Sequence, residues 1–176
     1  MRGFKGFNKD LTCTMGAGSF KYEIGQTYKE DKAKTARTGF HFVEEPLEVL
    51  RWYPNGRYCL IEASGDIDED ENKLSCTEIT IIKELSLMEL YAWEVRFITE
   101  NPRRQIERAA NEKGEAPKGK PVLVIGKDPV AMGRKDSSLF MIKKSRGKIT
   151  EAAGYRIDGK DFKPGVWYNI KGVAVE

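Results

Sequence analysis

Histidine is almost missing from this chain. His41 is the only one, so no cluster of imidazoles can hold a metal. Cysteine is nearly as scarce. Cys13, Cys59 and Cys76 are odd in number, widely spaced and form no CxxC pair. That pattern speaks against a zinc site or a disulfide framework and predicts reduced thiols in a cytosolic protein. No run approaches about 18 consecutive apolar residues, so no membrane span is expected. The opening "MRGFKGFNKD" lacks the apolar stretch of a secretory signal, which places the expected location in the cytoplasm. An excess of one charge is also missing. Thirty Lys and Arg face 27 Asp and Glu, a net charge of +3, without the strong surplus of a dedicated nucleic-acid binder. The glycine-bearing stretches at 16–18 and 126–137 match neither phosphate-binding fingerprint, so no nucleotide motif and no cofactor are expected from them.

What is present is a strand-rich pattern over 176 residues, enough for one domain or one domain with an appendage. "RGFKGFN" alternates. "FKYEIGQTYK" puts Phe20, Tyr22 and Ile24 on one face, the period of a half-buried strand. A strand entered through Gly39 runs to Val43. Pro46 can open a short helix because its missing N–H is not needed there, and "PNG" at 54–56 ends it. "RYCLIEASG" and "CTEITIIKEL" are rich in β-branched and aromatic residues and read as strands flanking the acidic loop "DIDEDENK". Ser86 with Glu89 three residues on has the spacing of a capping box, which predicts a helix from about residue 87. Asn101-Pro102 should stop it and start a second helix over "RRQIERAANEK", followed by the polar loop "KGEAPKGK". Strand candidates fill the rest. The expected architecture is α+β: a bent antiparallel sheet over 1–85, a helical insertion over 86–118 and a short β-rich C-terminal lobe over 119–176.

"GFKGFNKDLTC", "YEIGQTY", "TGFHFVEEPLEVL" and "IEASGDI", together with the closing "YRIDGKDFKPGVWYNIKGVAVE", resemble an uncharacterised family carried by phages and prophages. Longer relatives of that kind hold a solenoid of short Gly- and Ala-rich strands between the two ends. Here "VLVIGKDPVAMGRKDSSLFMI" looks like one or two of its rungs, whereas the 86–118 stretch departs from the pattern. The resemblance implies a phage-borne, intracellular context and no particular chemistry. A second likeness concerns fold. The strand–helix–strand segment "GFHFVEEPLEVLRWY…RYCLIEA" resembles the heart of ADP-ribosyltransferases. That likeness implies a cofactor-gripping His or Arg on the first strand, where only Arg2 and Lys5 stand, and a later carboxylate, for which Glu62 or Glu78 would serve.

His41 lacks a recognisable nucleophile or orienting acid nearby in sequence, so the expectation is a strand histidine that hydrogen-bonds the backbone, with no catalytic residue assigned. Asp66, Asp68 and Asp70 have the 1-3-5 spacing of a calcium loop, but the sixth position is Glu71 and the twelfth Thr77, so no metal is expected there. Tyr91, Trp93 and Phe97 are expected in the core, since Trp93 and Phe97 lie four apart on one helical face. Contact candidates are the acidic Asp66, Asp68 and Asp70, the basic Arg103, Arg104, Arg134, Lys135, Lys143, Lys144 and Arg146, and Trp167 as an aromatic anchor. These patches, with the phage-like context, point to a non-catalytic protein that binds a host protein or protein–nucleic-acid complex, for example an anti-CRISPR-type inhibitor of a defence complex. Two alternatives stay open: an ADP-ribosyltransferase-like, NAD-using enzyme, and a nucleic-acid-binding accessory protein using Arg134–Lys148.

Overall fold

The structure is a computed structural model that describes residues 1–14, 18–70 and 73–176. The chain divides into two compact units, Met1–Ser86 and Leu87–Glu176.

In the first unit the alternating opening forms β1 (Arg2–Phe7), and two short strands follow, β2 (Thr12–Cys13) and β3 (Phe20–Lys21). The strand expected over 20–29 is interrupted. Only Thr27–Lys29 forms a further strand, β4, and Phe20 and Ile24 stay more than two-fifths exposed while Tyr22 is buried. Gly25 explains the break, because its φ of +86° turns the chain out of an extended run. β5 (Phe40–Phe42) leads into a single turn begun by Pro46 and then α1 (Val49–Trp52). The two β-branched stretches form the long strands β6 (Arg57–Asp70) and β7 (Lys73–Leu85).

These strands make an antiparallel sheet in the order β1-β6-β7-β4, with β5 also laid along β7. The sheet curls until it meets itself. Phe4 N–H donates to Val43 O at 2.8 Å and Val43 N–H donates to Phe4 O at 2.9 Å, joining the first strand to the end of the β5 segment. Side chains alternate across a strand, so one row of β1 turns inward and packs on Cys59, Ile61, Ala63, Cys76, Ile79 and Ile81 from β6 and β7. Gly6 belongs to the other row. A Cβ there would lie 2.7 Å from the Tyr53 ring, so only glycine lets that ring sit against β1.

The acidic stretch is not a loop. Asp66, Asp68 and Asp70 lie on β6, whose pairing with β7 runs on until Asp70 faces Lys73. Only Glu71 and Asn72 separate the two strands, and these lie outside the described residues, as do Gly16 and Ala17 of the 16–18 stretch. Strand pairing prevailed because each acid alternates with a neighbour that faces the other way, leaving solvent access for the carboxylates.

The second unit begins with α2 (Leu87–Glu100), which starts where the Ser86 signal placed it and buries Leu90, Glu94, Phe97 and Ile98. Trp93 and Tyr91 are half-buried. The second helix expected over 103–113 does not form. Turns cover 102–109, and β8 (Ala110–Ala116) takes up the first half of the expected polar loop. "RRQIERAANEK" offers only Ile106 as a large apolar side chain, too little for a helix to bury. Strand β8 instead buries Gly114 and Ala116, a period-2 pattern in residues too small to show by hydrophobicity.

β9 (Pro121–Gly133), β10 (Ser138–Ser145) and β11 (Lys148–Arg156) follow, then β12 (Trp167–Asn169) and β13 (Ala174–Val175). This sheet is mixed, a detail that the expectation of a short β-rich lobe left open. β8 pairs parallel with β9, and β9 parallel with β10. Ala116 sits beside Gly133 and Pro121 beside Ser138, each pair seventeen positions apart, so the chain coils through β8, β9 and β10, while β11, β12 and β13 pair antiparallel. The rung-like stretch at 122–142 lies within this coil. β9 belongs to two rungs because it bends after Gly126. Its first half carries β10 and its second half carries β12.

Glu112 makes that bend. It adopts φ +60° at the break in the β8 register, and its carboxylate accepts Lys127 N–H at 2.6 Å and Asp128 N–H at 3.1 Å. A Cβ on Gly126 would lie 2.5 Å from the Glu112 carboxyl carbon, so glycine keeps the corner open. Among the described residues no helix is long and apolar enough to cross a membrane.

Replacing Glu112 with alanine should lower stability by about 1 kcal/mol through the two lost charge-assisted hydrogen bonds. Glu112→Gly should cost less, because glycine accepts the positive φ without strain. Urea unfolding of both variants, followed by circular dichroism, gives the comparison. An equal loss in both would rule out backbone strain at this corner.

Candidate functional site

A cavity of about 600 Å³ opens in the N-terminal unit. Its wall is built from β1, the chain around β5 and the end of α1, so the sheet closure at Phe4 and Val43 also shapes the cavity. Aromatic side chains supply much of its surface, chiefly Phe20, Tyr22, Phe42, Trp52 and Tyr53. Cationic groups line it as well: Lys5, Arg37 and Lys73.

Lys5 is the unusual member. It occupies the inward row of β1, two residues from Phe7 and directly across from Cys59, and is 7% exposed. Its Nζ donates to His41 O at 2.5 Å and stands 5.3 Å from the centre of the Tyr22 ring and 5.6 Å from that of Phe7. No carboxylate among the described residues reaches ion-pair distance of it. Burial away from water pushes its pKa below the usual lysine value, while the Cys13 and Cys76 sulfurs and Glu30 pull weakly the other way.

His41 lines the cavity beside Lys5. Its Nε2 accepts Ala36 N–H at 2.9 Å, so a neutral ring carries its proton on Nδ1. That bond fixes the turn in which Ala36 has φ +60°. Desolvation and the positive charges of Lys5 and Lys73 keep the imidazole pKa below its ordinary value. Glu30 is the carboxylate of the lining, and its Oε2 accepts Gly39 N–H at 2.9 Å. Burial raises both tyrosine hydroxyls, Tyr22 and Tyr53, well above the ordinary phenol range, so they remain proton donors at every physiological pH. Lys73 covers Trp52, its Nζ lying 3.5 Å from the ring centre.

Residues 1–92 match the model of a family described as a domain of unknown function (DUF7666). The chain belongs to that family. The match takes in the whole unit that contains the cavity. No curated protein and no solved structure matches the chain.

The residues singled out in the sequence are scattered by the fold. Glu62 is exposed on β6, Glu78 is half-buried and paired with Lys29 at 2.7 Å, and neither lines the cavity. Arg2 is also exposed and outside the lining, which leaves Lys5 as the first-strand cation facing inward. Asp68 is occupied internally: it accepts Thr35 N–H at 2.7 Å and Thr35 Oγ1–H at 2.5 Å, and pairs with Lys34 at 3.0 Å. These bonds hold its carboxyl at about 2. Asp66, Glu69 and Asp70 remain exposed beside it.

In the second unit the basic residues form two groups, not one. Arg134 and Lys135 precede β10, while Lys143, Lys144 and Arg146 lie at its far end, roughly 23 Å away along an extended strand. Lys143 is paired with Asp128 at 2.7 Å, and Arg134 approaches Glu115 at 3.8 Å. Arg103 is exposed, and the Arg104 guanidinium lies 5.2 Å from the Phe97 ring centre. Trp167 is half-buried, with Lys113 Nζ 4.1 Å from its ring centre. All three cysteines are free thiols. Burial raises Cys59 to about 12 and Cys76 to about 11. Among the described residues no three His, Cys, Asp or Glu side chains gather as a metal site.

Sequence reasoning missed Cys13, Glu30, Tyr22 and Tyr53 as site members. The available signal was Lys5 itself, a charged residue at an inward position of an otherwise apolar strand row.

A buried lysine gives a pH signature. Its folded pKa lies below the unfolded 10.5, so between those two values the unfolded chain holds a proton that the folded chain has released. Stability contributed by this group therefore rises with pH through that window, by roughly 1.4 kcal/mol per unit of depression. The Lys5→Met variant should be more stable than the parent at neutral pH, with the advantage shrinking toward pH 10.5. Thermal melts from pH 7 to about 10.5 test this, and a gap independent of pH would contradict it.

Proposed function

We propose that the N-terminal unit captures a small planar molecule carrying an anionic group, a phosphate-bearing heteroaromatic ring, in the Lys5 cavity. The single observation behind this reading is the cavity's composition. Its size falls in the range of about 300–1,000 Å³ common for small-molecule sites, it is rich in ring surfaces, and two cations, Arg37 and Lys73, line it. Aromatic faces favour a flat ring, and the cations favour an anion. Trp52 is already stacked by Lys73, so an arriving phosphate can draw the ammonium aside and leave the indole face to the ring.

A nicotinamide dinucleotide is one ligand of this chemistry, and the likeness of "GFHFVEEPLEVLRWY…RYCLIEA" to ADP-ribosyltransferases favours testing it. In that version Lys5 takes the place of the gripping His or Arg, and Glu30 is the only lining carboxylate among the described residues. Glu62 and Glu78 have no access to a bound ligand there.

A second reading keeps the protein a non-catalytic phage or prophage product that binds a host macromolecule. The exposed acidic arm of β6 favours it, where Ile67, 42% exposed, shares a face with Glu69, and Asp66 and Asp70 are exposed on the other. An exposed apolar side chain on an acidic arm suits a basic protein surface.

Isothermal calorimetry and thermal shift with nucleoside phosphates, nicotinamide adenine dinucleotide and pyridoxal 5′-phosphate separate the two. Saturable one-to-one binding, weakened about ten-fold (about 1.4 kcal/mol) by Lys73→Ala or Trp52→Ala, supports the cavity reading. Absence of any ligand-induced shift, with a stoichiometric complex recovered from host extract and lost on charge reversal of Asp66 and Asp70, supports the second reading and ends the first.

A further inference from the structure

Lys5 has two features that do not serve an anion clamp. It sits deep in the wall beside Phe7, Tyr22 and Cys59, and its ammonium meets a backbone carbonyl, ring faces and the Cys13 sulfur, with no carboxylate at ion-pair distance among the described residues. A lysine used simply as a cation is normally left in water or paired with a carboxylate, because an isolated buried charge is costly. At the same time the side chain lines open space large enough for a ligand. The other cations of the lining, Arg37 and Lys73, are less buried and suit the anion. The two kinds of positive group are thus divided by depth.

We propose that Lys5 is a nucleophilic amine that forms an imine with a carbonyl carried by the phosphate-bearing ring ligand. This deepens the cavity reading and rests on it. The ligand class narrows to an aldehyde or ketone attached to, or close to, an anionic planar ring. The step is balanced without any further reactant. The Nζ lone pair attacks the carbonyl carbon, forming the C–N bond, and the carbonyl π pair moves to oxygen. That oxygen takes up a proton, and the nitrogen gives one up. The hydroxyl of the resulting carbinolamine then leaves as water, with a second proton from nitrogen compensating, and the C=N bond closes. Amine and carbonyl become imine and one water.

The lining holds groups for both proton movements. Tyr22 and Tyr53 keep their hydroxyl protons and can donate to the departing oxygen. The Glu30 carboxylate is the available acceptor of the described lining, because the neutral His41 ring carries its proton on Nδ1 and gives its Nε2 lone pair to Ala36 N–H. The His41 main-chain oxygen that holds Nζ fixes where the lone pair points once the amine is neutral. Burial supplies the reactive form, since each unit by which an amine's pKa falls gives about ten-fold more neutral nitrogen near pH 7. The cation–π contacts to Phe7 and Tyr22 favour the charged state, whereas water displaced from beside the amine by an entering ring favours the free amine by desolvation.

Pyridoxal 5′-phosphate is the probe, at stoichiometric concentration and neutral pH, followed by borohydride reduction, intact mass and peptide mapping of the full chain. Expected is a single reduced adduct on Lys5, about ten-fold above the labelling of any surface lysine. The Lys5→Arg variant keeps the charge and cannot form the imine. It should still bind the probe reversibly in calorimetry and lose the adduct. Mapping the parent protein decides the matter even if Lys5→Arg does not fold. Reversible binding of the probe with labels scattered over surface lysines and none on Lys5 overturns the imine proposal and leaves the cavity reading standing. Neither binding nor labelling overturns both.

Discussion

A pair of backbone hydrogen bonds, Phe4 to Val43 and back, sets the character of the N-terminal unit. Without it the strands would form an open, twisted sheet with one face to the core. With it the first strand is held on both sides, by β6 and by the end of the β5 segment. The inward row of β1 then faces a closed space, and any side chain in that row shares it. Five aromatic rings, Phe7, Phe20, Tyr22, Tyr28 and Phe40, fill part of the space in edge-to-face contacts with centroids 4.7 to 6.4 Å apart. Lys5 is in the same row, so closure forces a charged residue into an aromatic interior. Its depressed basicity, its lack of a carboxylate partner among the described residues and its place on the cavity wall are three consequences of that one constraint.

Much of this fold was legible from local pattern. The strands over 2–7, 40–42, 57–65 and 76–85, the Pro46 turn and the start of α2 were all signalled by alternation, turn residues or a capping pair. Failures came where a strand is made of small or charged residues. β8 buries only Gly114 and Ala116, and β6 continues through Asp66, Asp68 and Asp70, so neither shows the apolar alternation that marks a strand. Parallel pairing was illegible for a different reason. Direction depends on where the chain bends, and the bend after Gly126 is made by a side chain fourteen residues earlier, Glu112.

The site was half-legible. Lys5 was marked as one of two first-strand cations, and alternation alone cannot choose between Arg2 and Lys5, which differ in face. The exposed patches were legible as charge but not as free charge. Asp68 and Lys143 are both satisfied within the fold, by Thr35 with Lys34 and by Asp128 respectively. Such pairings join residues 15 to 34 positions apart, beyond the reach of any window of sequence. His41, which drew attention as the lone imidazole, spends one ring nitrogen on the Ala36 turn and its carbonyl on Lys5, so it is as much part of the wall as a candidate for proton transfer.

The coil of the second unit has a consequence for how such a protein changes length. Past the Glu112 corner its parallel strands advance by seventeen positions, and each offers the next a parallel hydrogen-bonding rim. Duplicating one whole increment would leave the start and finish of the stack chemically as they were, because each terminal strand would still meet a neighbour in its native register. Deleting or inserting part of an increment would instead move the Glu112 corner out of line with Gly126. Growth by complete turns is therefore the change this architecture absorbs with least disturbance, and the two ends can persist while the middle expands or contracts.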